Sequence, residues 1–154
     1  MAERSGIYVL AETTEGGKPT PLTLELMGLG GDLASKLGDK LYAVLMGHGL
    51  EEAARELAGC GAGEVLVLDH EALSRYNPDI HLPILDKFFS TSPPRVVLLG
   101  HNSMGQDLAP RLAFAMGTAL ITDCLEVRAE AGELFFVRPV YGGNALATQR
   151  AVTD

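Results

Sequence analysis

Short apolar runs alternate with segments of helical period along most of this chain. Ile7 to Ala11 is five apolar residues closed by Glu12, and reads as a first strand. A polar loop, Thr13 to Thr20, leads to a helix from Pro21, where Leu22, Leu26, Leu29, Leu33 and Leu37 recur on one face. Leu41 to Met46 reads as a second strand and Leu50 to Ala58 as a short helix with Glu51 and Glu52 in its first turn, where acidic side chains suit the helix dipole. Val65 to Leu68 is a third strand ended by Asp69. His70 to Asp79 reads as irregular, and Ile80 to Phe89 as a helix turning Ile84, Leu85, Phe88 and Phe89 inward. Pro93 and Pro94 then deliver the chain to a fourth strand, Val96 to Leu99, whose unbroken apolar run predicts burial on both faces.

After that strand comes a polar turn, Gly100 to Gln106. A helix follows, with Leu108, Leu112, Ala115 and Met116 at helical spacing and Gly117 as its C-cap. Four rounds of strand and helix predict a doubly wound, mostly parallel α/β sheet. Beyond Gly117 the pattern changes. Ala119 to Thr122 reads as a short fifth strand. Cys124 to Arg128 and Leu134 to Val137, joined by a turn at Gly132, read as a C-terminal antiparallel hairpin. The final RPVYGGNALATQRAV adds a glycine turn and one more alternating strand.

Composition narrows what such a domain does. With 154 residues, 47% of them hydrophobic and 21% charged, the chain matches one globular domain. Its net charge of -8 is the wrong sign for a surface that neutralises phosphates, which argues against nucleic acid. Cys60 and Cys124 have no metal-ligand or CxxC spacing and read as free thiols of a reducing compartment. No signal peptide or membrane-length apolar span is evident, so a cytoplasmic protein without membrane insertion is expected.

In an open parallel sheet, ligands sit at the carboxyl ends of the strands, which directs attention to the turn after the fourth strand. Asn102, Ser103, Gly105 and Asp107 are the candidate nucleotide-binding residues, because backbone N–H groups at a helix start attract anions. Ser103 with Gln106 also fits a capping box, which would satisfy those donors internally. Pro110 would fall in the second turn of a helix starting at Ser103, or within the first turn of one starting at Asp107. Gly28, Gly30 and Gly31 suggest a phosphate loop, but they lie well past the first strand and within a leucine-faced helix. His48, His70 and His101 each follow a strand, yet ligands on strands about 4.8 Å apart rarely converge, so no metal site is expected. Walker, dinucleotide and nucleophile-elbow motifs are absent from the sequence.

Several motifs together resemble one family. These are IYVLAE at Ile7 to Glu12, Leu37-Gly38, GHNSMGQDLAPRLA from Gly100, Gly117, Thr122-Asp123-Cys124, and RPVYGGNA at Arg138 to Ala145. Their order resembles the N-terminal domain of the electron transfer flavoprotein alpha subunit. The resemblance implies an adenine nucleotide alpha hydrolase-like fold that pairs with a beta subunit. It implies FAD in the assembled complex, held largely by a C-terminal domain expected to lie beyond Asp154, and electron transfer between dehydrogenases, acyl-CoA dehydrogenases among them, and a quinone-linked acceptor. It further implies a chain that is not catalytic alone and binds no cofactor by itself. Asn102 to Gly105 would then stand where related domains receive AMP, as a vestigial site. Arg138, Pro139, Tyr141, Gly142, Gly143 and Asn144 would face the partner subunit or flavin domain, although a hairpin turn with positive φ at Gly142 and Gly143 explains the same residues. The alternative is a free-standing adenine-nucleotide-binding module of the universal-stress-protein type. It is weakened because Gly28 to Gly31 is the only GxxG and Leu41 stands where the next glycine belongs.

Overall fold

The computed structural model describes residues 6–151. The sequence's final alternating run ends at Val152, outside the described residues. Four parallel strands form the first sheet: β1 (Gly6–Ala11), β2 (Lys40–Gly47), β3 (Glu64–Asp69) and β4 (Val96–Leu98), in the order β3-β2-β1-β4. Between them run α1 (Pro21–Leu37), α2 (Glu51–Gly59) and α3 (Pro78–Thr91), and α4 (Ser103–Met116) follows β4. All six residues of β1 are buried, as befits a central strand covered on both faces. Alternation along β1 and β2 divides the core. Ile7, Val9, Leu41, Ala43 and Leu45 pack with α1 and α2, whereas Tyr8, Leu10, Tyr42 and Val44 pack with α3 and α4. Tyr8 and Tyr42 stack with ring centroids 4.6 Å apart, and Phe89 meets Tyr8 edge-on.

A second, three-stranded antiparallel sheet follows: β5 (Glu126–Glu130), β6 (Glu133–Val140) and β7 (Ala145–Arg150), in the order β5-β6-β7. Val127, Ala129 and Leu134 place it against the α1 side of the core. The doubly wound sheet and the antiparallel appendage therefore stand as the pattern implies, the appendage with three strands.

Three local expectations are corrected. Ala119 to Thr122 forms no strand; this segment lies opposite β4, and both line a cleft of about 610 Å³. Consequently β4 is an edge strand, with Val96 and Val97 only half-buried, although its apolar run suggested burial on both faces. The fully buried stripe of α1 is Thr23, Met27, Gly30, Leu33 and Ala34; Leu26, Leu29 and Leu37 pack on the same core while partly exposed, and Leu22, Leu26 and Leu29 also line the cleft. Counting leucines located the apolar face but missed its centre, because Gly30 sets the closest approach to the sheet. A Cβ there would lie 2.7 Å from Leu41 Cδ1 and 3.2 Å from Val9 Cγ2. Gly28 has open space around it, so Gly28→Ala should stabilise the chain by about 1 kcal/mol, as expected for an exposed helix-interior glycine. Urea denaturation of the variant checks this.

Helix α3 begins at Pro78, earlier than its apolar period suggests, because Asn77 caps it: its side chain accepts from Asp79 N at 2.9 Å and Pro78 takes the first-turn position. A short 3-10 turn, Glu71–Leu73, lies within the segment that reads as irregular, and the residues between it and α3 are irregular as expected.

Candidate functional site

Strand order places the topological switch point between β1 and β4, because the chain winds outward from β1 to β3 and then returns to the other side. Two segments meet there: the exit of β1 at Glu12, and the turn Gly100 to Asn102 leading into α4. Glu12 is held on three sides. Its backbone N–H donates to Thr23 Oγ1 at 2.9 Å, its carbonyl accepts from Thr23 Oγ1 at 3.1 Å, and Thr20 N donates to the same carbonyl at 2.9 Å. Thr20 in turn caps α1 by accepting from Thr23 N. The Glu12 carboxylate then accepts from Asn102 Nδ2, at 2.9 Å to each oxygen.

Asn102 is also the N-cap of α4, its Oδ1 accepting from Gly105 N at 3.0 Å. The cap is therefore Asn102, one residue before the Ser103 of the capping-box reading. Ser103 is the first helical residue and exposed. Starting at Ser103 leaves Pro110 inside the helix, the first of the two placements considered. One side chain thus spends its acceptor on the helix start and its donor on the end of β1.

The turn is compact as well as bonded. A Cβ on Gly105 would lie 1.8 Å from the Gly100 carbonyl oxygen, and one on Gly100 would lie 2.5 Å from Leu22 Cδ2 and 3.2 Å from Glu12 Oε1. Gly105 requires glycine because backbone fills the space a Cβ needs, whereas at Gly100 the end of the Leu22 side chain would have to shift.

Asp107 points into a different network. Tyr76 Oη donates to Asp107 Oδ2 at 2.7 Å, while Arg111 Nε and Nη2 donate to Oδ1 at 3.1 and 3.0 Å. This ties the segment before α3 to α4. Hydrogen bonds from Tyr76 and Arg111 hold the Asp107 carboxyl below the usual carboxylate range. Burial, and then the bond to Asp107, push the Tyr76 phenol up from 10.0 to about 12. The depressed Asp107 contributes stability above the unfolded carboxylate range, lost as pH falls through its lowered value. The raised Tyr76 contributes below the unfolded phenol value, lost as pH rises through about 12. Ultraviolet titration of wild type minus Tyr76→Phe should therefore show a single phenol titrating near 12; a midpoint near 10 would contradict the bond.

The histidines go separate ways. His48 Nδ1 lies 3.1 Å from Asp69 Oδ1, His70 Nδ1 accepts from Ala72 N, and His101 Nε2 is 3.9 Å from Asp123. Among the described residues no group of three or more His, Cys, Asp or Glu side chains could hold a metal. Asp69, at the end of β3, also accepts from Gly49 N at 3.0 Å and Leu50 N at 2.8 Å, and these bonds keep its carboxyl below the usual range. It thereby satisfies the start of α2, whose own cap position, Leu50, offers no side-chain oxygen. No sequence signal pairs Asp69 with a helix 18 residues upstream.

Of the segment read as a loop, Arg138, Pro139 and Val140 instead end β6, paired with β7, and only Tyr141 to Asn144 turns between the two strands. Tyr141, Gly142 and Gly143 take φ of 52°, 65° and 89°, so the turn uses the positive φ expected of its glycines and extends it to an exposed tyrosine. Asn144 Nδ2 closes the turn by donating to the Tyr141 carbonyl at 3.0 Å. Cys60 and Cys124 are free and exposed. No helix among the described residues is long and apolar enough to cross a membrane.

Fold and crevice define an open-sheet α/β domain of the nucleotide-binding architecture, whose switch point is bridged by its own Glu12 and Asn102. Residues 7–154 match the electron transfer flavoprotein domain, and the chain belongs to that family. It is 36% identical over 149 residues to the electron transfer flavoprotein subunit alpha of Clostridium acetobutylicum, covering 96% of this chain and 44% of the relative. Identity to the Megasphaera elsdenii protein of the same name is 36%, with the same coverage. The acryloyl-CoA reductase electron transfer subunit beta of Anaerotignum propionicum is 32% identical, covering 92% of this chain and 45% of the relative. The chain spans less than half the length of these relatives, and they favour the flavoprotein reading over the stress-protein alternative.

Proposed function

We propose that residues 1–154 are one domain, the N-terminal domain of an electron transfer flavoprotein alpha subunit, acting as a structural and docking module. The observation that carries this is the family match across residues 7–154. In the assembled protein a beta subunit and a further alpha domain would hold FAD, which carries electrons between dehydrogenases and a quinone-linked acceptor. The redox chemistry belongs to the flavin. The names of two relatives, an acryloyl-CoA reductase electron transfer subunit and a lactate dehydrogenase subunit, support acyl-CoA or similar dehydrogenases as redox partners. The cytoplasm suits such a chain.

The switch-point crevice does not fit the diphosphate of FAD or the phosphate of AMP. A carboxylate, Glu12, stands at its mouth, Asn102 is spent on both sides, and Arg111 is bonded to Asp107. We therefore read Asn102, Gly105 and Asp107 as struts of a vestigial site, with Ser103 exposed beside them. This domain alone binds no cofactor and turns nothing over. Its contribution is the surface at Arg138, Pro139 and Tyr141 to Asn144, where an aromatic and an arginine flank a rigid turn, the residue types that anchor protein interfaces.

Mixing the chain with the beta-type flavoprotein subunit of the same organism, followed by size-exclusion chromatography with light scattering, tests the reading. A one-to-one complex is expected. Separate elution of two folded chains would overturn it.

A further inference from the structure

The antiparallel sheet carries three arginines, and they are treated unequally. Arg128 lies 3.5 Å from both Glu126 and Glu130, and Arg150 bonds Glu133 at 2.6 Å. Arg138, among the described residues, forms no hydrogen bond and no ion pair, although it is half-buried and its Nε is fully shielded from solvent. Leaving a guanidinium in that state costs free energy, because partial desolvation is not offset by an acceptor. Among the described residues Arg55 and Arg75 also have no carboxylate partner, but both are exposed, whereas Arg138 is half-buried.

Its position explains why nothing inside the domain reaches it. Alternation along β6 puts Leu134, Phe136, Arg138 and Val140 on one face, and this row begins in the core, where Leu134 packs and Phe136 is buried. The ladder with β5 ends at Glu126 and Val137, so on the sheet Arg138 pairs only with Ala147 of β7, and the nearby titratable group is the Cys124 thiol, which supplies no carboxylate. From there outward the β6–β7 arm is exposed. Five of the six β7 residues are open to solvent, Leu146 at 63%, and Tyr141 at the tip at 83%. Arg138 thus sits at the root of an arm whose outer end exposes the large apolar surfaces of Tyr141 and Leu146.

We propose that Arg138 is the charged anchor of the partner-binding surface and receives a carboxylate side chain from the partner subunit, with Tyr141 and Leu146 as apolar contacts beside it. This rests on the docking reading above. A carboxylate fits better than a phosphate because a single guanidinium matches one planar, singly charged acceptor, and the loop offers no second cation to share a doubly charged group. Arg138 and Tyr141 are also the types that dominate binding energy when they become desolvated at an interface centre.

Calorimetric titration of the chain with the beta-type subunit of the same organism tests this. Wild type should bind, and Arg138→Gln should bind about tenfold or more weakly, with a shallower salt dependence. Arg138→Glu should lose binding and recover it when one partner carboxylate is changed to lysine. The thermal midpoint of Arg138→Gln should equal or exceed that of wild type, since the variant removes an unpaired charge; a merely structural arginine would lower it. Wild-type affinity in Arg138→Gln would overturn the proposal, as would displacement of the partner by inorganic phosphate at matched ionic strength. Failure of wild type itself to bind would instead overturn the docking reading.

Discussion

Gly105→Ala should destabilise the chain by about 3 kcal/mol, at the top of the range for overpacking, and lower Tm by on the order of 10 °C. Helix propensity alone argues the opposite sign, since alanine inside a helix is favoured by about 1 kcal/mol over glycine. Packing decides against it. The added Cβ would meet the Gly100 carbonyl oxygen at 1.8 Å, and the atom in the way is backbone, which cannot rotate aside. The start of α4 must then move away from the β4 turn, and the Asn102 cap moves with it. Gly28→Ala is the matched control, the same substitution in a helix with empty space around it and the opposite expected sign. Urea melts of the two variants measure both effects.

Asn102→Ala should cost about 2 kcal/mol, roughly half from the lost α4 cap and half from a Glu12 carboxylate left without its donor. Asn102→Asp separates the halves. It keeps an oxygen for Gly105 N but sets a second carboxylate against Glu12. That variant should be weakened at neutral pH and regain stability as pH falls through the carboxylate range, because protonation removes the repulsion. Denaturation at pH 7 and pH 4 checks it, and equal losses at both would contradict the proposed role of Glu12.

How far the sequence carried this reading depends on the range of the interactions involved. The central strands were legible because β1 and β2 are buried on both faces and admit only apolar residues. Gly117 announced the end of α4, where its φ is 62° and its N–H bonds the Ala113 and Phe114 carbonyls. The glycines of α1 were placed in a helix by the leucine period around them, and there they lie. What stayed hidden was set by contacts across the chain. Glu12 and Asn102 are 90 residues apart, and nothing local in either says that they meet. The α4 cap was misplaced by one because Ser103 and Asn102 are both good caps, and only the turn geometry chooses between them. Ala119 to Thr122 has a strand-like sequence, but a ladder needs a partner at the right distance, and β4 lies across a cleft from it. The unpaired state of Arg138 is likewise invisible in sequence, since its neighbours on β5 and β7 carry glutamates and arginines in equal supply.

We propose that the switch-point crevice is closed by the chain's own side chains and that the domain works through its surface. Native mass spectrometry of the purified chain, before any nucleotide is added, tests it most directly. The expected result is the mass of the bare polypeptide, 16.3 kDa, with no change when AMP or FAD is supplied. A retained or saturably bound AMP or FAD, lost in Asn102→Ala, would show that the turn from Gly100 to Asp107 is a working nucleotide site and contradict it.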